Sequence, residues 1–269
     1  MPPFLAIPLP FDAVALAFGS AALTWNSVFI AMGVVVGVAW GARLASRSGI
    51  DEDRGYTIGL VGIVAGIIGA RLFHVVDFWD YYRREPLHIL FLSESGLAIW
   101  GGIVFGGLGA AAYEWRSRLS LPDLADAGAS GLILGQAIER VGGVLGGGFH
   151  GRPFDGPWAV IYTHPRTDGE QGLAVHPAIG YELLWDLALF GLMNALSGRL
   201  RPGTLFCIYL CGYGLGRLWT GVYRVEIVAA LGLSQGQLLG AAALCAGTAA
   251  LLVMWRRRDA VGRAEDAPT

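Results

Sequence analysis

The chain has 269 residues, of which 54% are hydrophobic and 15% are charged, and its mean hydropathy is +0.54. Soluble domains are about 45–50% apolar and about 25% charged, so this composition excludes an ordinary soluble enzyme and indicates an integral membrane protein. The net charge of −2 lacks the basic excess of nucleic-acid-binding proteins, so no nucleic-acid partner is predicted.

Seven apolar stretches are long enough to form helices that cross a bilayer, which takes about 20 residues. The third stretch is interrupted by glycine pairs, and the fourth carries Asp126, Glu139 and Arg140. We therefore predict an all-α integral membrane protein with one seven-helix transmembrane domain over residues 1–258 and a polar cytoplasmic tail over 259–269. The predicted spans are 22–45, 56–77, 95–114, 124–147, 177–197, 203–221 and 236–255.

The arginines predict how the chain is oriented in the membrane. Eleven lie in the loops after the first, third and fifth spans and in the tail, whereas eight lie on the other side or within spans. Because cytoplasmic loops carry the excess of basic residues, the N-terminus is predicted outside and the C-terminus in the cytoplasm. The two longest outer loops, 78–94 and 149–176, are predicted to form a small head region on the outer face.

All three cysteines lie inside apolar segments, where they are typical small hydrophobic residues. They are Cys207, Cys211 and Cys245. A structural zinc site needs four ligands, so neither a metal site nor a cofactor is predicted.

The segment 139–158 combines two arginines with a glycine-rich run, in the sequence ERVGGVLGGGFHGRPFDGPW. An arginine at membrane depth costs about 2.5–3.5 kcal/mol on insertion scales, so Arg140 is expected to meet an anion. The planar guanidinium forks of Arg140 and Arg152 suit a phosphodiester. Structural ion pairs, of Arg140 with Glu139 or Asp126 and of Arg152 with Asp155, are the alternative. The spacing alone leaves the phosphodiester contact and the ion pairs both open.

A second set of polar residues lies on the sixth predicted span. Tyr213, Arg217 and Arg224 are four and seven residues apart and therefore share one helix face. For Arg217, which lies deeper, an anion contact is the favoured prediction. For Arg224, snorkelling to the membrane interface is favoured.

The third set opens the fifth predicted span with His176, followed by Tyr181 and Glu182. A histidine at the mouth of a span most often caps a helix or forms a hydrogen bond. Glu182 lies inside the span and needs a partner, for which we predict an arginine from span two, four or six.

These segments resemble those of bacterial prolipoprotein diacylglyceryl transferases, which are seven-span enzymes of the cytoplasmic (inner) membrane. The resemblance rests on Gly-Arg-Pro-x-Asp-x-Pro-Trp at 151–158, His-Pro-x-x-x-Tyr-Glu at 176–182 and Tyr-Gly-x-x-Arg at 213–217. It implies transfer of a diacylglyceryl group from phosphatidylglycerol to a lipobox cysteine thiol, with release of glycerol phosphate. The implied partners are phosphatidylglycerol, the signal peptide of a prolipoprotein, and membrane lipids.

On this resemblance we predict the residues of the active site. The predicted catalytic residues are His176, Tyr213 and His150. The predicted substrate-binding residues are Arg140, Arg217, Arg152, Gly143, Gly151, Arg71 and Glu182.

The chain also departs from the family at several functional positions. Trp100 stands where the family has a histidine proposed as the general base, Asn26 replaces a tyrosine, and Gly143 and Gly146 replace asparagines. Tryptophan cannot accept a proton, so either another histidine is the base or the arginines lower the pKa of the substrate thiol directly. The candidate histidines are His74, His150, His164 and His176.

Three functions remain open on the sequence. An active diacylglyceryl transferase is predicted first. A catalytically degenerate family member, acting as a lipid-binding or scaffold membrane subunit, is the main alternative. A transporter is the third, and it rests only on the charges inside the spans.

Overall fold

The computed structural model describes residues 6–19, 21–90, 99–117, 120–148 and 151–265. Within them, seven helices of 17 to 31 residues lie where the seven apolar spans were predicted. A short helix, α3, and a 3-10 turn at Pro86–Leu90 lie between the second and third of them. The helices are α1 (Trp25–Arg47), α2 (Glu52–Asp77), α3 (Trp79–Tyr82), α4 (Ile99–Ser117), α5 (Leu121–Gly146), α6 (Ala178–Leu196), α7 (Thr204–Thr220) and α8 (Gln235–Glu265).

Four of the described helices are long and apolar enough to cross a membrane. They are Trp25–Arg47, Glu52–Asp77, Ala178–Leu196 and the part of α8 at Gln235–Arg256. Their outer faces expose large apolar side chains such as Val35 and Leu60, as helices surrounded by lipid do. The protein is therefore a mostly helical membrane protein. The count of seven spans stays a prediction, since α7 has only 17 residues and α5 carries four charged side chains.

The all-α prediction was too simple, because short strands lie in the segments between helices. The described strands are β1 (Ile7–Leu9), β2 (Val14–Phe18), β3 (Ala21–Thr24), β4 (Val160–Tyr162), β5 (Ala174–Val175), β6 (Val228–Ala230) and β7 (Leu233–Ser234). β1 pairs in parallel with β4, which pairs antiparallel with β5, while β2–β3 and β6–β7 are hairpins. Strands of two to five residues are too short for an alternating pattern to be recognised in the sequence.

The helices group into two compact units, residues 1–40 with 128–269 and residues 41–127. The prediction of a single domain over 1–258 stays a prediction. The predicted polar tail from 259 continues α8 as a helix as far as Glu265.

The larger unit has its core where α5, α6 and α7 meet. Ile133, Met193 and Tyr209, one from each helix, are almost fully buried in the same cluster. α1 packs on α5 backbone to backbone, since a Cβ added to Gly33 would lie only 2.5 Å from the carbonyl oxygen of Gly135. Small residues at helix contacts are the usual way in which membrane helices approach each other.

The smaller unit contains the end of α1, α2, α3, α4 and the start of α5. α2 and α4 pack closely enough that a Cβ on Gly101 would lie 2.1 Å from the carbonyl oxygen of Gly69. Leu44, Ile50 and Ala127 form a small buried cluster within the same unit.

The C-terminal end of α5 is held by the loop that follows it. Gly147 has a left-handed φ of +77° and donates its N–H to the carbonyl of Gly143. The N–H of Asp168 and the hydroxyl of Thr167 donate to the carbonyl of Gly146, at 2.9 and 3.2 Å. These bonds satisfy carbonyls that a helix end leaves free, and they fix the last turns of α5 in the larger unit.

Candidate active site

The centre of the candidate site is the carboxylate of Glu182, on the second turn of α6. Its Oε1 accepts hydrogen bonds from Arg217 Nη1 at 2.8 Å, from Arg224 Nη1 at 2.6 Å and from Thr220 Oγ1 at 3.2 Å. Glu182 is only 4% exposed, so its charge depends on these partners. All three donors come from α7 and the loop that follows it.

Arg140 of α5 approaches the same carboxylate from the other side. Its Nε lies 3.0 Å from Glu182 Oε2 and 3.7 Å from Asp186 Oδ2, and its Nη1 lies 2.5 Å from Glu139 Oε2. The prediction that Glu182 pairs with an arginine from span two, four or six is confirmed by Arg140, from span four, and by Arg217, from span six. The structural ion pair of Arg140 with Glu139, which the sequence left open, is also present.

Arg224 does not snorkel to the interface, so that sequence-based preference was wrong. The residue is 4% exposed, and its Nε lies 3.0 Å from Glu226 Oε1. Glu226 Oε1 also lies 3.2 Å from Arg217 Nη2. Two carboxylates, Glu182 and Glu226, therefore bridge Arg217 and Arg224 and hold both guanidinium groups away from bulk solvent.

Asp186 and Glu226 also belong to this cluster, although neither was predicted from the sequence. Asp186 lies four residues after Glu182, and so on the same face of α6, which was a usable signal. Glu226 follows the end of α7 and reaches Arg217 and Arg224 only because the chain turns back there, which no local pattern predicts.

His176 lies just before α6 in an aromatic pocket. Its ring stacks on Phe154 with centroids 3.9 Å apart, and Tyr223 is 4.9 Å away. Its Nδ1 is 3.2 Å from the hydroxyl of Tyr181, which accepts a 2.7 Å hydrogen bond from the Trp158 indole. Burial in this pocket lowers the pKa of His176, so the imidazole is neutral at pH 7.

A small cavity of about 40 Å³ opens beside His176. Gly151, Ile179 and Tyr162 are among the residues that line it. Burial raises the pKa of Tyr162 to about 12, so its hydroxyl keeps its proton. The cavity has room for water but not for a lipid headgroup, which needs several times that volume.

The backbone joins His176 to the arginine cluster. The N–H of His176 donates to the carbonyl of Arg152 at 2.9 Å, and the N–H of Arg152 donates to the carbonyl of Tyr223 at 2.8 Å. Gly151 forms an isolated bridge with Arg224, and a Cβ on Gly151 would lie 1.9 Å from the His176 carbonyl oxygen. A glycine is therefore required at 151 by close packing.

Two further predicted site residues border the cluster. The Arg152 side chain is exposed and donates its Nε to the carbonyl of Arg224 at 3.3 Å. Tyr213 stacks on Tyr209 and lies near enough to Arg140 to interact with its charge. The alternative ion pair of Arg152 with Asp155 does not occur among the described contacts.

Gly143 and Asn26, two of the positions singled out in the sequence, lie where α5 packs on its neighbours. A Cβ on Gly143 would meet the Ile179 side chain at 3.2 Å, so α5 is close to the start of α6 there. Asn26 lies where α1 meets Gly142, and its amide oxygen is buried without a hydrogen-bond partner among the described residues.

Arg71 belongs to the smaller unit and is buried there. Its guanidinium donates to the carbonyls of Ile89 at 2.9 Å and His88 at 2.5 Å and lies 5.2 Å from the centre of the Tyr82 ring. In the described structure Arg71 therefore holds the turn that follows α3. Its predicted contact with substrate stays a prediction.

The other candidate bases have different surroundings. His74 packs on the Phe78 ring, and His164 Nδ1 accepts the N–H of Arg166 at 3.2 Å. His150 lies outside the described residues, as does the side chain of Trp100.

The fold and the site together define a class: a helical membrane protein with arginines gathered around a buried glutamate. The chain matches the family model of prolipoprotein diacylglyceryl transferase over residues 13–254. It is 37% identical over 218 residues to the phosphatidylglycerol–prolipoprotein diacylglyceryl transferase of Dehalococcoides mccartyi, covering 80% of this chain and 83% of that protein.

Proteins of the same name from two other bacteria give the same result. The Nostoc sp. protein is 32% identical, with 90% of both chains covered, and the Corynebacterium efficiens protein is 34% identical, with 88% of this chain and 80% of its own covered. The chain therefore belongs to the prolipoprotein diacylglyceryl transferase family, and the resemblance found in its sequence motifs is confirmed.

Proposed function

We propose that this chain is an enzyme that transfers a diacylglyceryl group from phosphatidylglycerol to the cysteine thiol of a prolipoprotein. Family membership supports this, and so do the names of its relatives. Those names favour an active transferase and give no support to the catalytically degenerate alternative. The single observation that supports the placement of the site is the convergence of Arg140 and Arg217 on Glu182.

The proposed reaction is an alkyl transfer to sulfur. The thiolate attacks the glyceryl carbon that carries the phosphate ester, and the C–S bond forms as the C–O bond breaks. The bonding electron pair leaves with glycerol phosphate, and the proton of the thiol passes to a base on the protein. Negative charge grows on the leaving phosphate, so guanidinium groups placed beside it lower the barrier.

Arg140 and Arg217 are the arginines proposed for that role. Each can present a planar fork to phosphate oxygens, and each is already held in place by Glu182. Glu182 then acts as a positioning residue, because it fixes both guanidinium groups before the lipid enters. Pre-organised charge of this kind costs no rearrangement during the reaction.

His176 is proposed as the base, with Tyr181 orienting its ring through Nδ1. A lowered pKa keeps the imidazole neutral and able to accept the thiol proton. The base must come within about 3 Å of the thiol or reach it through one water, and the cavity beside His176 has room for such a water. His150 and Tyr213 are the other proposed catalytic residues.

The remaining predicted positions are proposed to shape the lipid site. Arg152 is exposed beside Arg224 and is suited to the glycerol headgroup. Gly143 allows close packing against Ile179, and Gly151 allows it against His176. Arg71 keeps its proposed substrate contact from the family resemblance alone.

The proposed location is the cytoplasmic (inner) membrane of a bacterium, with seven spans, the N-terminus outside and an outer head region. The apolar helices and the arginine bias of the loops support this arrangement. The acceptor is then the signal peptide of a prolipoprotein, which reaches the site from the membrane.

A transfer assay tests the proposal. The purified chain is placed in phosphatidylglycerol vesicles with a peptide that carries a lipobox cysteine, and the thioether product is identified by its mass. Vesicles of phosphatidylcholine, and a peptide with serine in place of the cysteine, serve as controls. Absence of product, under conditions in which the Dehalococcoides relative forms it, would contradict the proposal and favour the lipid-binding alternative.

A further inference from the structure

The carboxylate of Glu226 is surrounded by hydrogen-bond donors of the kind that bind anions. Its Oε1 lies 3.2 Å from Arg217 Nη2 and 3.0 Å from Arg224 Nε. Its Oε2 accepts a hydrogen bond from the hydroxyl of Ser234. Two guanidinium groups and a hydroxyl suit the oxygens of a phosphate as well as those of a carboxylate.

The same serine begins α8. The N–H of Gln237 donates to Ser234 Oγ at 3.2 Å, and the N–H of Ser234 donates to Gln237 Oε1 at 3.1 Å, which is a reciprocal capping box. α8 is 31 residues long, and the N-terminal end of a helix carries partial positive charge. Glu226 therefore sits at the positive end of a long helix in addition to contacting two arginines.

The arginines of the cluster are already paired with carboxylates. Its three arginines are Arg140, Arg217 and Arg224, and the carboxylates that contact them belong to Glu139, Glu182, Asp186 and Glu226. Each of the three arginines therefore already has a carboxylate within 4 Å. A phosphate that entered without displacing a carboxylate would add negative charge beside the carboxylates of a partly buried site, which is unfavourable.

Glu226 is the carboxylate best placed to leave. The other three are on α5 and α6, whereas Glu226 precedes the β6–β7 hairpin. The hairpin turns through Leu231 and Gly232, with φ of +53° and +75°, the backbone of a type I′ turn in which leucine is disfavoured. Ile227 is 91% exposed and Leu231 is 93% exposed. The hairpin therefore buries little apolar surface and can move at small cost in packing.

We propose that Glu226 occupies, in the unliganded protein, the place between Arg217 and Arg224 that the headgroup phosphate takes in the lipid complex. Arg217, proposed above for the phosphate together with Arg140, is then joined there by Arg224. The hairpin moves away with Glu226 when the lipid binds. This inference rests on the proposed function, because phosphatidylglycerol is taken as the ligand. Glu226 is then a specificity residue: an anionic headgroup replaces its carboxylate between two guanidinium groups, whereas a zwitterionic headgroup brings a cation that they repel.

The test measures lipid binding and hairpin motion separately from transfer. Binding of phosphatidylglycerol and of phosphatidylcholine is measured for the detergent-solubilised wild-type chain, for Glu226→Gln and for Glu170→Gln. The last removes the same charge from an exposed loop and is the matched control. Glu226→Gln is expected to bind phosphatidylglycerol on the order of tenfold more tightly, because the carboxylate that competes with the phosphate for Arg217 and Arg224 has been removed. Glu170→Gln is expected to bind as the wild type does.

Hydrogen exchange of the amides at 227–234 measures the hairpin. In the wild type their exchange should rise when phosphatidylglycerol is added and stay unchanged with phosphatidylcholine. In Glu226→Gln it should be fast without lipid. A melting temperature for each variant identifies any that fails to fold, and Glu182, which also holds Arg217 and Arg224, is expected to keep Glu226→Gln folded.

Three outcomes decide the proposal. Unchanged affinity in folded Glu226→Gln would overturn it. Tighter binding by Asp186→Asn but not by Glu226→Gln would also overturn it, because the carboxylate that gives way to the phosphate would then be that of Asp186. The affinity and exchange changes described above would support it. If these changes occur in a wild-type chain that shows no transfer, the changes support this inference and the absence of transfer contradicts the proposed function. Failure of the inference and failure of the proposed function can therefore be told apart.

Discussion

Arg217 donates from α7 to Glu182 on α6 across 2.8 Å, in an ion pair whose side chains are 14% and 4% exposed. The pair does more than join two helices, because the second oxygen of Glu182 contacts Arg140 of α5. One carboxylate thus ties three helices of the larger unit together and sets the spacing of the two arginines proposed for catalysis. Stability and activity should therefore depend on the same residue.

Replacing Glu182 by glutamine should destabilise the protein strongly. The change leaves three buried guanidinium groups without their shared counter-charge, and breaking a buried ion pair typically costs about 3–5 kcal/mol. Unfolding of the detergent-solubilised chain measures the effect. Glu170→Gln, at an exposed position, should lie within about 0.5 kcal/mol of the wild type. If both variants unfold alike, Glu182 does not hold the cluster.

Gly151→Ala should disturb the site through the backbone. The new Cβ would lie 1.9 Å from the His176 carbonyl oxygen, so the chain must shift where it links His176 to Arg224. Overpacking of this kind costs about 1–3 kcal/mol, and transfer should fall with it. Unfolding and transfer assays measure both effects.

Gly148→Ala is the matched control for this substitution. No atom of the described residues would lie within 4 Å of a Cβ on Gly148, so stability should stay close to that of the wild type, and any loss of transfer should be much smaller than in Gly151→Ala. Equal losses in Gly148→Ala and Gly151→Ala would mean that the contact with His176 is not the cause.

The helices could be predicted from the sequence because lipid imposes a simple rule on them. An apolar run of about 20 residues is recognised without tertiary information, and four of the described helices at the predicted positions are long and apolar enough to cross a membrane. The short strands could not be, because β5 has two residues and forms only through its pairing with β4. Whether Trp100 leaves the base to His176 also stays a prediction, since its side chain is outside the described residues.

The arginine cluster was predicted in part. A charge inside a span demands a partner, and the arginine predicted for Glu182 is present. The prediction for Arg224 was wrong, because a residue past the end of a helix looks interfacial in sequence. In the structure the chain folds back there, so that Glu226 and Glu182 bury its guanidinium.

Transfer should depend on pH through His176. Burial lowers the pKa of its imidazole below the usual value of about 6.5, so the neutral, basic form persists to lower pH than that of an ordinary histidine. The rate should be level above pH 7 and should fall as the pH drops through the lowered pKa. His176→Gln should reduce transfer by about 10²–10⁴-fold and abolish this acidic limb.

Tyr181→Phe separates the orienting role of Tyr181 from that of the base. Without the hydroxyl at 3.2 Å from Nδ1, the ring loses a hydrogen-bond partner but keeps its proton-accepting nitrogens. The acidic limb should therefore remain, with a smaller loss of rate than in His176→Gln. A pH profile that is the same in wild type and His176→Gln would exclude His176 as the base.

Arg217→Lys should lower the turnover number far more than it raises KM. Lysine keeps the positive charge, so Glu182 retains a counter-ion, but a single ammonium cannot present the planar fork that holds two phosphate oxygens. Charge on the phosphate grows toward the transition state, so the missing contact is felt mainly there, and kcat should fall on the order of 10²–10³-fold.

Arg83→Lys is the matched control, because Arg83 is half-exposed and pairs only with Asp80 among the described ion pairs. It should leave both kinetic constants near those of the wild type. A melting temperature close to the wild-type value would assign the loss in Arg217→Lys to catalysis and not to folding. A raised KM with unchanged kcat would instead mean that Arg217 binds the lipid equally in the ground state and the transition state, which would contradict its proposed role at the leaving phosphate.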